Sequence, residues 1–311
     1  MRYLLLEPKI SNKDYEYIMN AQKDILENRL NSPGSVFLDK ITEVFFKNNF
    51  KKRSLTVDDL KLVSKEDIMK EYKSKFSNFY GFRGTILGSI DEKEVKELLE
   101  NYFAGLPVKT IKKSCGKEWL DIKYPEGVVK SKVVKGKDEK VSVGIYYPIH
   151  KRYIDEDGYK VRMFTEILKM QLTEEVREKL GGVYGVGVAA KYTEHERPYI
   201  QIIFATDPKR VEEVSAAIKK EVNKLVDGNI KDEFLNSIIK NYKLTYEKGQ
   251  NRNAYWLFYL ERKTKIGDNY EPYTPEKYKE VMTKKNLKEF FNGIVENDNY
   301  TEIKLLPKIE G

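Results

Sequence analysis

LTEEVREKLGGVYGV, Leu172–Val186, is the stretch on which the reading of this chain turns. Val176, Lys179 and Leu180 read as the last turns of a helix. Gly181 and Gly182 read as its stop, because glycine enters the left-handed backbone that ends a helix with no Cβ to resist it. A strand then opens on Val183 and Tyr184. This places Arg177, one turn inside the helix, near Tyr184 at the strand mouth, a cation and a phenol facing the same way. Both donate hydrogen bonds, so together they suit a carbonyl oxygen that gains negative charge. Spacing alone also allows a plainer reading: Arg177 as a solvated cation at a helix C-terminus, and Tyr184 as an ordinary strand aromatic.

Working outward, two strands precede this helix, at 128–134 and 140–147. The second runs through Val141, Val143, Ile145 and Tyr146, the pattern of a half-buried strand. The helix itself spans about 156–180. Strands at 184–192 and 199–205 form a hairpin across 193–198, helices follow at 208–226, 231–248, 253–263 and 275–291, and a last strand covers 300–306. Strands, helix, strands, helices and strand predict an α+β two-layer sandwich, an antiparallel or mixed sheet with helices on one face. The N-terminal part is mainly helical, at 11–30, from Pro33 to about 47, and from a Ser64–Asp67 cap to Phe76. A strand candidate follows at 79–87, then a helix over EKEVKELLENYF (Glu92–Phe103) that ends at Gly105-Leu106-Pro107. The polar stretch 109–127 contains the predicted linker, 113–127, which divides 1–112 from 128–311.

The chain can be laid on itself with a shift of about 220. Ile10, Ile18, Asn31 and Phe37 then meet Ile230, Ile238, Asn251 and Leu257. On this reading 128–311 is a complete domain and 1–112 a front-truncated copy, so the chain is expected to be a piece of a longer protein. The apolar faces of 11–30 and 33–47 are then expected to lack most of their sheet. Such faces call for a partner, and either self-association, as by sharing strands, or instability of that domain is predicted.

Composition narrows the function. With 311 residues, 40% hydrophobic and 34% charged, the chain is long enough for two cores, and no apolar run is long enough to cross a membrane. The net charge of +8 is spread along helices among acidic residues, which argues against nucleic acid as a partner. The single cysteine, Cys115, forms no intramolecular disulfide framework. The two histidines, His150 and His195, do not make a ligand cluster by spacing. No nucleophile elbow, P-loop or dinucleotide fingerprint occurs. Gly181–Gly187 is glycine-rich after a helix, the wrong polarity for cradling phosphate. Gly185, Val186 and Gly187 instead let a substrate backbone or a neighbouring strand approach a sheet edge.

REKLGGVY, Arg177–Tyr184, resembles the arginine–tyrosine signature in the C-terminal half of the pitrilysin/insulinase-type (M16) zinc peptidases, most of all their bacterial PqqL-like branch. The strand, the Gly88-Ser89-Ile90-Asp91 turn, the amphipathic helix and the terminal Leu106-Pro107 are a similar phrase. The resemblance implies four domains in two halves, with this chain as the end of the third and all of the fourth. It implies Arg177 and Tyr184 as the substrate-carbonyl donors, and zinc bound by an HxxEH motif that this chain lacks. Zn2+ is therefore expected in a separate N-terminal half, where it activates water. Peptides and that zinc-bearing half are the expected partners, with this chain inactive alone. The alternative is a non-catalytic peptide-binding or assembly subunit of the same fold. Exported and cytoplasmic locations both stay open.

Overall fold

A computed structural model describes residues 5–110, 122–267 and 270–308. Its described elements run α1 (Asn12–Arg29), α2 (Pro33–Val44), α3 (Val57–Lys61), α4 (Lys65–Phe76), α5 (Glu92–Phe103), β1 (Val128–Val134), β2 (Val141–Pro148) and α6 (Asp157–Leu172). There follow β3 (Gly185–Lys191), β4 (Tyr199–Thr206), α7 (Val211–Val226), α8 (Asp232–Gly249), α9 (Asn253–Ile266), α10 (Pro275–Val281), α11 (Lys284–Phe291) and β5 (Tyr300–Leu306). The fold is α+β, as expected. Two compact units form, one from the described parts of 1–28, 55–116 and 244–273, the other from those of 29–54, 117–243 and 274–311.

The second unit carries a five-stranded mixed sheet in the order β1-β5-β2-β4-β3. β5 lies parallel to β1 and antiparallel to β2, and β3 and β4 form the antiparallel hairpin. β2 is central, and all but one of its residues are buried. α7 turns Val211, Val214, Ile218, Val222 and Leu225 inward at helical spacing, and α6 does the same with Val161, Phe164, Ile167, Leu168 and Leu172. Both belong to one sheet face. On β5 that face presents Glu302 to Lys219 of α7 (3.0 Å) and Lys304 to Glu212 of α7. The alternate residues Ile303 and Leu305 point the other way. There they join Tyr146, Ile122 and Tyr124 in a cluster closed by Phe37, Ile41, Phe45 and Phe46 of α2 and the turn after it.

That cluster bears on three expectations. The sheet has a helix on its second face as well. The apolar face of α2 is covered by sheet, not deprived of it. Ile122 and Tyr124, inside the stretch read as linker, are buried, each with 2% of its surface accessible. The remainder of that stretch up to 121, Cys115 included, lies outside the described residues. The sequence cut at 113–127 and the interleaved packing units are different partitions of the chain.

The first unit is described by α1, α3, α4, α5 and α9 with their loops. No α1 residue is buried, and Tyr17, Ile18 and Ile25 are exposed. The candidate strand 79–87 forms no ladder with any described residue, and Phe82 and Ile86 are exposed. A strand requires a neighbour to take its N–H and C=O groups, and its own sequence does not supply one. The element bounds still keep the repeat offset: α1 at 12–29 against α8 at 232–249, and caps at Ser64 and Thr283.

Candidate functional site

α6 does not end at Leu172. Thr173–Lys179 continues it as a π-helix, which closes with Leu180 N–H donating to Glu175 O at 3.3 Å. A π-turn carries an extra residue, and such segments occur often at functional sites. Val176 is fully buried and anchors the segment, while its neighbour Arg177 is exposed. Ion pairs hold the acidic side of the turn. Lys179 donates to Glu174 and Glu175, both at 2.7 Å, and Lys231 donates to Glu174 at 2.5 Å. The hydrogen bonds from Lys179 and then Lys231 lower the Glu174 carboxyl to a pKa of about 2. Arg177 makes no hydrogen bond or ion pair with the described residues, so its guanidinium stays available.

The chain then reverses. Gly181 takes φ +59°, and Gly182 N–H donates to Val176 O at 3.0 Å, closing the helix end over the seven residues from Val176 to Gly182. A side chain at Gly182 would bring its Cβ within 2.7 Å of Val214 Cγ2, so close packing as well as backbone conformation favours glycine in this doublet. Tyr184 N–H donates to Ala205 O at 3.1 Å and starts the β3–β4 pairing. The Tyr184 ring is 63% exposed, with the Lys140 ammonium 4.1 Å from its centroid. Arg177 and Tyr184 thus both stand at the surface, on the two sides of one fixed turn.

Gly185, Val186 and Gly187 open β3, paired to Ala205, Phe204 and Ile203 of β4. β3 is an edge strand, and the glycines at 185 and 187 are exposed. The two sheet edges differ. β1 exposes Lys130 and Lys132, whereas β3 has no charged residue until Lys191. Lysine on an edge discourages strand pairing, so the β3 edge is the receptive one.

The histidines stand apart from this turn. His150 Nε2 lies 3.6 Å from Glu296 and 3.3 Å from Asn299 Nδ2, while His195 is exposed beside Glu194 at 3.4 Å. Among the described residues no three His, Cys, Asp or Glu side chains come together as a metal cluster, so these residues do not fit a zinc centre. Three residues near the turn escaped the sequence reading. Arg210 donates to Leu180 O (3.1 Å) and Gly181 O (3.0 Å), Thr206 Oγ1 donates to Gly182 O, and Lys140 covers Tyr184. Contacts of that sequence separation leave no local pattern to read.

Comparison with known proteins identifies the family and the fold. The family described as the peptidase M16 inactive domain matches residues 63–242. A zinc protease PQQL-like protein of Arabidopsis thaliana is 20% identical over 255 residues, covering 77% of this chain and 27% of that protein. A probable zinc protease PqqL of Haemophilus influenzae is 25% identical over 179 residues, covering 55% of this chain and 18% of that protein. The chain therefore spans roughly a quarter or less of the length of these relatives, which come from a plant and a bacterium. The crystal structure of a peptidase M16 inactive domain from Pseudomonas fluorescens superposes with a TM-score of 0.78 at 14% identity, covering 98% of this chain and 73% of that one.

Proposed function

Because this chain belongs to the peptidase M16 inactive-domain family, we propose that it is the substrate-holding, non-metal part of a zinc peptidase. One observation carries the reading. Two surface donors whose guanidinium and hydroxyl make no hydrogen bond among the described residues, Arg177 and Tyr184, flank a pinned turn that leads directly into an uncharged, open sheet edge. An extended peptide adds to β3 by main-chain hydrogen bonds, and Gly185 and Gly187 leave its backbone room. The scissile carbonyl then comes within reach of the guanidinium and the phenol. Both donors strengthen their bonds as the oxygen becomes negative, which is where donors contribute to rate. Zinc, when bound by the metal-bearing half, supplies the activated water; the residues of this chain contribute peptide alignment and charge stabilisation only.

The partner is accordingly a zinc-bearing M16 half, and the substrates are peptides. Exposed apolar side chains on α5 (Leu98, Leu99, Tyr102, Phe103) and in the loop before it (Phe82, Ile86) support a partner-bound state of the first unit. The test is hydrolysis of a pool of quenched-fluorescent decapeptides by this chain, by a zinc-bearing M16 half, and by the two mixed. Activity confined to the mixture supports the proposal. Binding between the halves with no gain in hydrolysis moves the assembly-subunit reading ahead, and hydrolysis by this chain alone overturns the division of labour.

A further inference from the structure

Helices end with carbonyls that lack an intrahelical donor, and the turn after the π-helix has three in a row, at Leu180, Gly181 and Gly182. One short segment, 206–213, satisfies all three. Arg210 Nη2 donates to Leu180 O at 3.1 Å, Arg210 Nη1 to Gly181 O at 3.0 Å, and Thr206 Oγ1 to Gly182 O. The guanidinium is held in turn by Glu213, through Nε to Oε2 at 3.0 Å and Nη2 to Oε1 at 3.3 Å. Thr206 is fully buried, and its neighbour Ala205 accepts the N–H of Tyr184. The segment that begins at the end of β4 therefore fixes the turn that bears Arg177 before it and Tyr184 after it.

The choice of residue has a physical reason. A planar guanidinium spans two adjacent carbonyls with separate nitrogens and still reaches a carboxylate, whereas an ammonium is a point charge on a flexible stem. A cation at a helix C-terminus also meets the negative end of the helix dipole. The doublet Gly181-Gly182 is otherwise the most pliable point between the two donors, since glycine has the widest choice of backbone conformation. We infer that Arg210, assisted by Thr206, is a positioning residue for the Arg177–Tyr184 pair. This rests on the carbonyl-binding role proposed above for that pair. Arg210 does not touch substrate; it keeps the two donors at one separation while charge develops.

Hydrolysis by the mixture of this chain with a zinc-bearing M16 half provides the kinetic test, with amide hydrogen exchange of this chain alone as a second measurement. Arg210→Met is expected to lower kcat about 10- to 100-fold with KM within about 2-fold, the penalty of a displacement on the order of 1 Å. Arg210→Lys recovers only part of kcat. The double variant Arg210→Met/Arg177→Met falls by less than the product of the two single losses, because the clamp acts in part through Arg177. In the chain alone, exchange at Gly182 and Tyr184 speeds about tenfold in Arg210→Met while the β2–β4 ladder keeps its protection. Unchanged exchange at both amides overturns the inference without any activity measurement. Unchanged kcat in Arg210→Met, in a mixture that Arg177→Met and Tyr184→Phe do slow, overturns it and leaves the carbonyl-binding role intact. If Arg177→Met and Tyr184→Phe are themselves silent, that role fails, and the positioning role fails with it. Should Arg210→Met lose its cooperative melting, Thr206→Val, which removes one hydroxyl and keeps the shape, is held to the same kinetic and exchange outcomes.

Discussion

Phe45→Ala tests how the N-terminal part of the chain is tied to the sheet. Phe45 is fully buried in the turn after α2. Its ring stacks on Tyr124 at 4.4 Å and 8°, and meets Phe46 at 5.0 Å, Tyr146 at 4.8 Å and Tyr199 at 5.3 Å. Phe-to-Ala changes in a core cost about 3–5 kcal/mol. Favourable ring pairs add about 0.5–1.5 kcal/mol each beyond area burial, and four contacts place this site near the top of the range, about 4–5 kcal/mol. For a unit of 150–250 residues each kcal/mol moves Tm by roughly 2–4 °C, so the expected fall is about 8–20 °C. Differential scanning calorimetry of the chain reads it, with Phe50→Ala, a 73% exposed control in the following loop, expected within about 0.5 kcal/mol of the parent. A Phe45→Ala protein that melts within about 2 °C of the parent refutes the assignment of 29–54 to the sheet-bearing unit.

Two further outcomes follow from the π-turn and the sheet edge. Glu174 is held near pKa 2, below the ordinary 4.5, by Lys179 and Lys231, so its charged form stabilises the folded chain. That contribution is complete above pH 4.5 and is lost as pH falls toward 2. The Tm gap between the parent and Glu174→Gln should therefore be steady from pH 7 to 5 and close between 4.5 and 2; a gap constant to pH 2 contradicts the pairing. Ala189→Lys places on the exposed side of β3 the kind of lysine that β1 carries at 130 and 132. Binding of a labelled extended peptide, read by fluorescence anisotropy, should weaken by about tenfold, with stability changed by no more than about 0.5 kcal/mol. Unaltered binding would remove β3 as the docking edge.

Much of the fold was legible because burial imposes a period. The bounds of β1 and β5 agree with the strands read at 128–134 and 300–306, and α7 follows its 3.6-residue spacing. Features that depend on a distant partner were not legible. The strand candidate 79–87 has strand composition but no ladder among the described residues, and composition does not supply a neighbour. The helix of 156–180 changes from α to π at Thr173, a shift in hydrogen bonding that leaves the apolar pattern intact. The single helix read at 275–291 is two, with the second capped by Thr283 Oγ1 accepting from Asn286 N–H. That cap was visible in Thr283-x-x-Asn286 and lost against a continuous apolar pattern. The short α3, which the sequence reading did not include, carries a Thr56–Asp59 capping box in the structure. At the site, Arg177, Tyr184 and the glycine doublet stood in one local phrase. Arg210 and Thr206 reach the turn across 24 to 30 residues, and nothing in DPKR marks that reach.

The central claim is that Arg177 and Tyr184 act on the carbonyl of a peptide during its hydrolysis. The most direct measurement is the kcat and KM of Tyr184→Phe, a change that removes one hydroxyl from a 63% exposed ring, in the mixture of this chain with a zinc-bearing M16 half. Loss of one such donor costs about 100- to 1000-fold in kcat, and KM should stay within a few-fold of the parent. A Tyr184→Phe protein with unchanged kcat, in a mixture that is otherwise active, contradicts the account.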